Sequence, residues 1–159
     1  MGASHGLTAP VLDKLVEDGQ SEALRFGAAS MQGWRRSQED AHIALPKLGH
    51  SASRALFAVF DGHGGHEVAA LCARRLPELL RADARLAAPH ATVEQVAAAL
   101  VAAHFWIDDF IASADGQAEL HAILDAAAHE QRRGAHALAA SDGAPAVSYT
   151  HLTLPTTPY

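Results

Sequence analysis

Arg54-Ala-Leu-Phe-Ala-Val-Phe60, followed at once by Asp61-Gly-His-Gly-Gly65, decides the fold. Every residue from Ala55 to Phe60 is apolar, so the segment reads as a β-strand buried on both faces. Gly62, Gly64 and Gly65 then break the strand and permit positive φ and close backbone approach. Downstream, His66–Leu80 carries Val68, Leu71, Cys72, Leu76 and Leu79 at helical spacing, with Pro77 placed either to kink that helix or to start a new one. Val93–Ile111 repeats the pattern through Val93, Val96, Leu100, His104, Ile107 and Ile111, and His104 on that stripe reads as a core histidine. Upstream, Arg25–Gln32 alternates with Phe26, Ala28 and Ser30 on one side, and Ala41–Leu45 is a second short strand. Strands, a glycine-rich turn and amphipathic helices predict an α+β fold, with helices covering a sheet.

The 159 residues, 49% hydrophobic and 19% charged, amount to one globular domain's worth of chain. No stretch reaches the ~18 uninterrupted apolar residues of a membrane span, and no signal peptide opens the chain, so stable membrane insertion is not expected. Cys72 is the single cysteine, which excludes an internal disulfide and points to a reducing intracellular compartment, cytoplasmic or nuclear. Twelve Lys and Arg against 18 Asp and Glu give a net charge of −6, which argues against nucleic acid as a partner.

Composition divides the chain into a polar lead-in over 1–24, a folded region over 25–112 and an Ala-rich, weakly packed continuation over 113–146, with one helix near Gln117–Gln131. Residues 147–159 differ again: both tyrosines and Thr150, Thr153, Thr156 and Thr157 fall there, and alanine vanishes. That stretch has the composition of a Thr-rich strand, and it also resembles a translated cloning adapter, the reading preferred here. Gly2 invites N-myristoylation, but Gly6 stands where that motif wants Ser or Thr.

Two acidic segments carry the chemistry. Trp34-Arg35-Arg36-Ser37-Gln38-Glu39-Asp40-Ala41-His42 is the first, and Asp61-Gly62-His63-Gly64-Gly65 is the second. A carboxylate at a strand end, followed by glycines that expose carbonyl oxygens, suits a hard divalent cation. The Glu39-Asp40 pair is placed to hold metal-bound waters. Arg35, four residues before Glu39, can grip a phosphate dianion bidentately, and His63 is placed for proton transfer to a leaving group. Arg36 competes with Arg35 and reads as a solvated charge, while Asp108-Asp109 reads as a solvated helical pair. A zinc site from His63, His66 and Cys72 lacks a fourth ligand. Three carboxylates drawn together without a cation should push one of their pKa values up.

Met31-Gln-Gly-Trp-Arg35, then Glu39-Asp40-Ala-His42, then Phe57-Ala-Val-Phe-Asp61-Gly-His-Gly-Gly65 resemble, in order and spacing, the N-terminal part of the protein phosphatase 2C family. The resemblance covers roughly Met1 to Ile111, and Asp-Gly-His-Gly-Gly is already a strong pointer on its own. It implies a partial β-sandwich flanked by antiparallel helices, and metal-dependent hydrolysis of phosphoserine and phosphothreonine in phosphoprotein substrates by a protein monomeric when complete. By that resemblance Asp61 bridges two Mg²⁺ or Mn²⁺ ions and the Gly62 carbonyl binds one of them. Glu39 and Asp40 then hold that ion's waters, Arg35 binds the phosphate, and His63 is the general acid.

The family's later motifs, a Gly-Asp-Ser/Ala-Arg strand and two further metal-binding aspartates, have no counterpart; Asp115-Gly116 and Asp142-Gly143 come too early and lack apolar flanks. The chain is therefore expected to be an N-terminal fragment, inactive by itself. The alternative is a non-catalytic, pseudophosphatase-type interaction module, which has no need of an intact Asp61-Gly62-His63.

Overall fold

The computed structural model describes residues 7–49, 54–87 and 90–140. In chain order the elements are β1 (Val11–Gln20), β2 (Arg25–Gly33), β3 (Ala41–Leu45), β4 (Leu56–Phe60), α1 (Glu67–Ala82), a 3₁₀ turn (Ala84–Leu86), α2 (Val93–Ala112) and α3 (Ala114–Ala140). The fold is α+β. The strands form two separate antiparallel pairs, β1 with β2 and β3 with β4. The 147–159 segment and the Gly2 and Asp142-Gly143 readings lie outside the described residues.

The core lies between the β3–β4 pair and the helices. Leu71, with no exposed surface, sits at its centre among Ile43, Leu76, Leu80, Ala103, Ile107 and Leu120. α1 is the helix that packs on both β3 and β4, and α2 and α3 pack on α1 from beyond. Pro77 lies inside one continuous α1, buried, rather than opening a second helix. α2 begins with a capping box: the Thr92 hydroxyl accepts from the Gln95 N–H at 3.3 Å, and the Gln95 side chain accepts from the Thr92 N–H at 2.8 Å.

α3 is anchored by its first turns. Leu120 is buried, and Arg74 and Arg75 of α1 both donate to the Glu119 carboxylate. The Arg75 guanidinium also lies over the Phe110 ring, 5.2 Å from its centroid, so one arginine ties all three helices. Gly116 is buried in the sharp α2–α3 junction, where a Cβ would fall 1.8 Å from the Phe110 carbonyl oxygen. The Asp115-Gly116 dipeptide thus serves a helix junction.

Three expectations need correction. β4 is packed into the core on one face only: on the other, Phe57 and Val59 are 47% and 77% exposed, and the β1–β2 pair reaches that face through Phe26 against Phe57 without covering it. His104 is exposed rather than in the core, because α2 is apolar on several sides and turns Ala99, Ala103 and Ile107 toward α1. β1 was not expected, because Asp13, Lys14, Glu17 and Asp18 disguise the strand. At 20 residues and a mean hydropathy of 1.3, α2 is also long and apolar enough to cross a membrane by composition, although here it packs on helices.

Candidate metal and phosphate site

The two acidic segments leave the sheet side by side. β3 and β4 pair from Leu45↔Leu56 to Ala41↔Phe60, so one step further Asp40 and Asp61 stand opposite each other, and Glu39 faces Gly62. The Gly62 N–H donates to Asp40 Oδ1 at 3.3 Å, which ties the loop to the acidic pair. Gly62 is buried against Glu39: a Cβ there would sit 2.1 Å from the Glu39 carbonyl oxygen and 2.7 Å from its carbon, both backbone atoms. Only glycine lets the two chains approach so closely.

The loop amides serve Glu39 next. Its carboxyl is held below the usual carboxylate range, chiefly by the Ser37 hydroxyl at 2.7 Å; partial burial opposes this, and the Gly65 N–H, the Arg35 charge and the Gly64 N–H add to it. Gly64 has φ +76°, a conformation that a side chain would strain. Glu39 therefore moves opposite to the expected upward shift, because hydroxyl and amide donors, rather than neighbouring carboxylates, surround it.

The turn that carries Arg35 is held from below. Gln32 Nε2 donates to the carbonyl oxygens of Arg35 and Arg36, at 2.9 and 3.1 Å, and the Arg35 N–H donates to the Gln32 carbonyl oxygen at 3.3 Å. This is the physical content of Met31-Gln32-Gly33-Trp34: the glutamine amide satisfies carbonyls that the turn leaves unpaired. Gln32 and Ser37 were missed as site-building residues. Their signal was a hydrogen-bonding side chain within a few residues of a glycine turn.

Arg35, Asp61 and His63 are exposed, as an open site requires. Asp40 also lines a cavity of about 600 Å³ between the two hairpins, together with Phe26, Ser30, His42 and Val59. Cys72 is partly buried in α1 and burial pushes its thiol up, so it offers no thiolate nucleophile.

The site brings Glu39, Asp40, Asp61 and Gly62 to one end of the β3–β4 pair. It does not make the expected three-carboxylate cage, for among the described residues no three Asp, Glu, His or Cys side chains converge on a metal-sized point. Glu39 has turned to Ser37 and the glycine amides instead. The donors still fit a hard cation in kind. They are carboxylate and carbonyl oxygens, and Mg²⁺ keeps several waters and needs only one or two carboxylates. The Glu67 carboxylate packs against Gly65, and its Oε2 is buried with no hydrogen-bond partner, 4.0 Å from His66 Nδ1.

Comparison with known proteins agrees with this arrangement. The family described as "Protein phosphatase 2C" matches residues 24–140, a span holding both acidic segments and all three helices. "Probable protein phosphatase 2C 58" of Oryza sativa subsp. japonica is 42% identical over 120 residues, which cover 75% of this chain and 30% of that protein. "Probable protein phosphatase 2C 21" of Arabidopsis thaliana is 39% identical over 119 residues, covering 75% and 32%. "Protein phosphatase 2C homolog 2" of Schizosaccharomyces pombe is 46% identical over 81 residues, covering 48% and 22%. The chain thus spans about a third of the length of the plant relatives it matches. With the match running from the start of β2 to the end of α3, and the acidic strand ends and glycine loop inside it, the chain belongs to the protein phosphatase 2C family.

Proposed function

We propose that the protein to which this chain belongs hydrolyses phosphoserine and phosphothreonine esters of other proteins, and that this chain supplies one wall of the active site. The observation that carries the reading is the junction of Asp40, Gly62 and Asp61 at the paired ends of β3 and β4. Asp61 and the Gly62 carbonyl would hold Mg²⁺ or Mn²⁺, with Glu39 and Asp40 reaching it through water. When bound, such ions supply charge neutralisation and a water acidic enough to act as nucleophile near neutral pH.

The chain's own residues do the rest. Arg35, on a turn stiffened by Gln32, offers a planar pair of donors to the phosphate dianion. His63, exposed beside Gly62, gives a ring proton to the seryl or threonyl oxygen as its bond to phosphorus breaks. The Ser37 hydroxyl, helped by the Gly65 and Gly64 amides, holds the Glu39 carboxyl below the usual carboxylate range, which suits it to accept hydrogen bonds from water rather than to donate a proton. A reducing intracellular location, cytoplasmic or nuclear, suits the lone cysteine.

The shortage of metal-ligating side chains among the described residues favours a second reading, an interaction module without turnover. One experiment separates the two. Mn²⁺-dependent hydrolysis of a phosphothreonine peptide is measured for this chain and for a chain extended to the relatives' length, each beside Asp61→Asn. The extended chain should turn over, and Asp61→Asn should lower its rate by at least about a hundredfold. This chain alone should stay at the level of its own Asp61→Asn control. Equal rates for the extended chain and its variant would overturn the assignment.

A further inference from the structure

The two halves of the candidate site stand on different hairpins. Asp40, Asp61 and Gly62 end the β3–β4 pair, whereas Arg35 lies on the turn just past β2. A turn outside any ladder must find other donors for its carbonyl oxygens. Here the chain itself supplies them. The Arg35 N–H donates to the Gln32 carbonyl, and Gln32 Nε2 donates to those of Arg35 and Arg36. The Trp34 carbonyl accepts from the Leu7 N–H at 3.2 Å, so the segment before β1 closes the clamp from the other side.

β1 shapes the same spot. Val11 pairs with Gly33 and Lys14 with Met31, so Leu12 and Asp13 together stand opposite Gln32. Two residues against one make a β-bulge, which bends its strand, interrupts the ladder and re-aims a side chain. It falls opposite the residue whose amide crosses to the turn, and Gly33 follows at φ +62° to swing the chain out of the strand. Leu7 and the bulge both precede residue 24, where the family match begins.

A guanidinium grips a phosphate dianion through two bonds only when its plane is aligned. An arginine on a loose turn must freeze that turn on binding, and affinity falls by that cost; a turn already fixed avoids it. The Gln32 bonds lie at the surface, where water can replace a lost donor, so they add little to folding. Their effect falls on the order of the turn. We infer that Gln32 and the lead-in segment 7–13 are positioning elements of the phosphate site, fixing the turn that presents Arg35. The inference rests on the reading of Arg35 as the phosphate ligand, and Gln32 acts through Arg35.

The test titrates the full, isotopically labelled chain with inorganic phosphate at constant ionic strength, followed by NMR. The Arg35 Nε–H and the Ser37 amide should shift saturably, and Arg35→Ala should abolish the Ser37 response. Gln32→Met keeps the side chain's length and removes both donors, and it should weaken phosphate about fivefold. Leu7→Pro removes the other donor with Gln32 intact, and it should weaken phosphate about threefold. In both variants the heteronuclear NOE of the Arg35 and Arg36 amides should fall, while the Gly62 amide and Leu71 methyl signals stay in place. Gln20→Met, at the other end of the same hairpin, should change nothing. If Arg35→Ala abolishes the response but neither clamp variant weakens it, the inference is overturned and the proposed function stands. Weakening in only one of the two variants overturns the part assigned to the other residue. No saturable response in the unmodified chain, or one that survives Arg35→Ala, overturns the phosphate reading of Arg35 and this inference with it. Displaced Gly62 and Leu71 signals in Gln32→Met would make Gln32 a support of the whole fold, which also overturns it.

Discussion

The two hairpins of this molecule are both antiparallel pairs, yet they live differently. β1 and β2 run for ten and nine residues, twice the length of β3 and β4, but Leu12, Leu15, Val16 and Met31 remain exposed along them. The shorter β3–β4 pair lays Ile43, Ala58 and Phe60 on the helical core through α1. A two-stranded ladder is marginal by itself whatever its length, so packing on a helix distinguishes them. The candidate site sits at the end of the packed hairpin. Its precision therefore derives from α1, which starts six residues after Asp61 and holds the glycine loop from the other side.

The sharpest way to break this contrast is to place a methyl group on each hairpin. In Gly62→Ala the new Cβ meets the Glu39 backbone at 2.1 Å, and no side chain can swing aside to relieve it. We expect a loss of at least about 3 kcal/mol in urea unfolding. The Asp40–Gly62 bond should go with it, seen as loss of hydrogen-exchange protection at residue 62. Gly27→Ala in β2 meets nothing within 4 Å, and it should change stability by no more than about 0.5 kcal/mol. Similar losses in the two variants would mean that the hairpins are equally built in.

Core truncation repeats the comparison with side chains. Leu71→Ala removes the most buried leucine of α1 and should cost about 2–5 kcal/mol. Leu15→Ala, half-exposed on β1, should cost less than about 1 kcal/mol. Equal costs would place a second core under β1–β2.

Much of the packed half could be read before any coordinates. β3 has the bounds expected, and α1 and α2 lie within one or two residues of theirs, because apolar periodicity reports burial. The glycine loop and both acidic segments were legible as chemistry. β1 was not, because a strand exposed along most of its length has no apolar face to write into its sequence. The side of α2 that meets α1 was equally hidden: apolar residues all round a helix leave its rotation undetermined, and His104 was misplaced for that reason. Gln32 and Ser37 act through hydrogen bonds whose geometry exists only once the turn is folded. Glu119 escaped notice because its partners, Arg74 and Arg75, are more than forty residues away.

That ion-pair cluster offers a graded test of the helical side. Burial pushes the Glu119 carboxyl up, but hydrogen bonds and charge from Arg75 and Arg74 outweigh it and leave it below its ordinary 4.5. The folded state therefore holds this proton less tightly than the unfolded chain. The stabilisation is complete above about pH 4.5 and fades as pH falls through the lower folded value. Glu119→Gln should cost about 1–2 kcal/mol at pH 7, between an exposed and a buried pair. The difference from the unmodified chain should shrink below pH 4.5 in paired thermal melts. A difference that stays constant down to pH 3 would show that Glu119 acts through packing instead of charge.

The smallest effects lie where the two hairpins touch. Phe26 of β2 and Phe57 of β4 meet with ring centroids 5.3 Å apart at an interplanar angle of 55°, and His42 Nε2 lies 3.3 Å from Glu17 Oε2 of β1. Tilted aromatic pairs contribute about 0.5–1.5 kcal/mol beyond the area they bury, and water does not screen them. The ion pair forms only when His42 is protonated, and its side chains are 25% and 49% exposed, so solvent and salt reduce it to a few tenths of a kcal/mol at most, about 0.3. A double-mutant cycle on Phe26→Leu and Phe57→Leu should return a coupling near 1 kcal/mol that does not change with salt. The matching cycle on Glu17→Gln and His42→Gln should return about 0.3 kcal/mol, falling toward zero in 1 M salt. If the order reverses, charge joins the hairpins. If the order holds, one ring contact links the loosely held hairpin to the packed one.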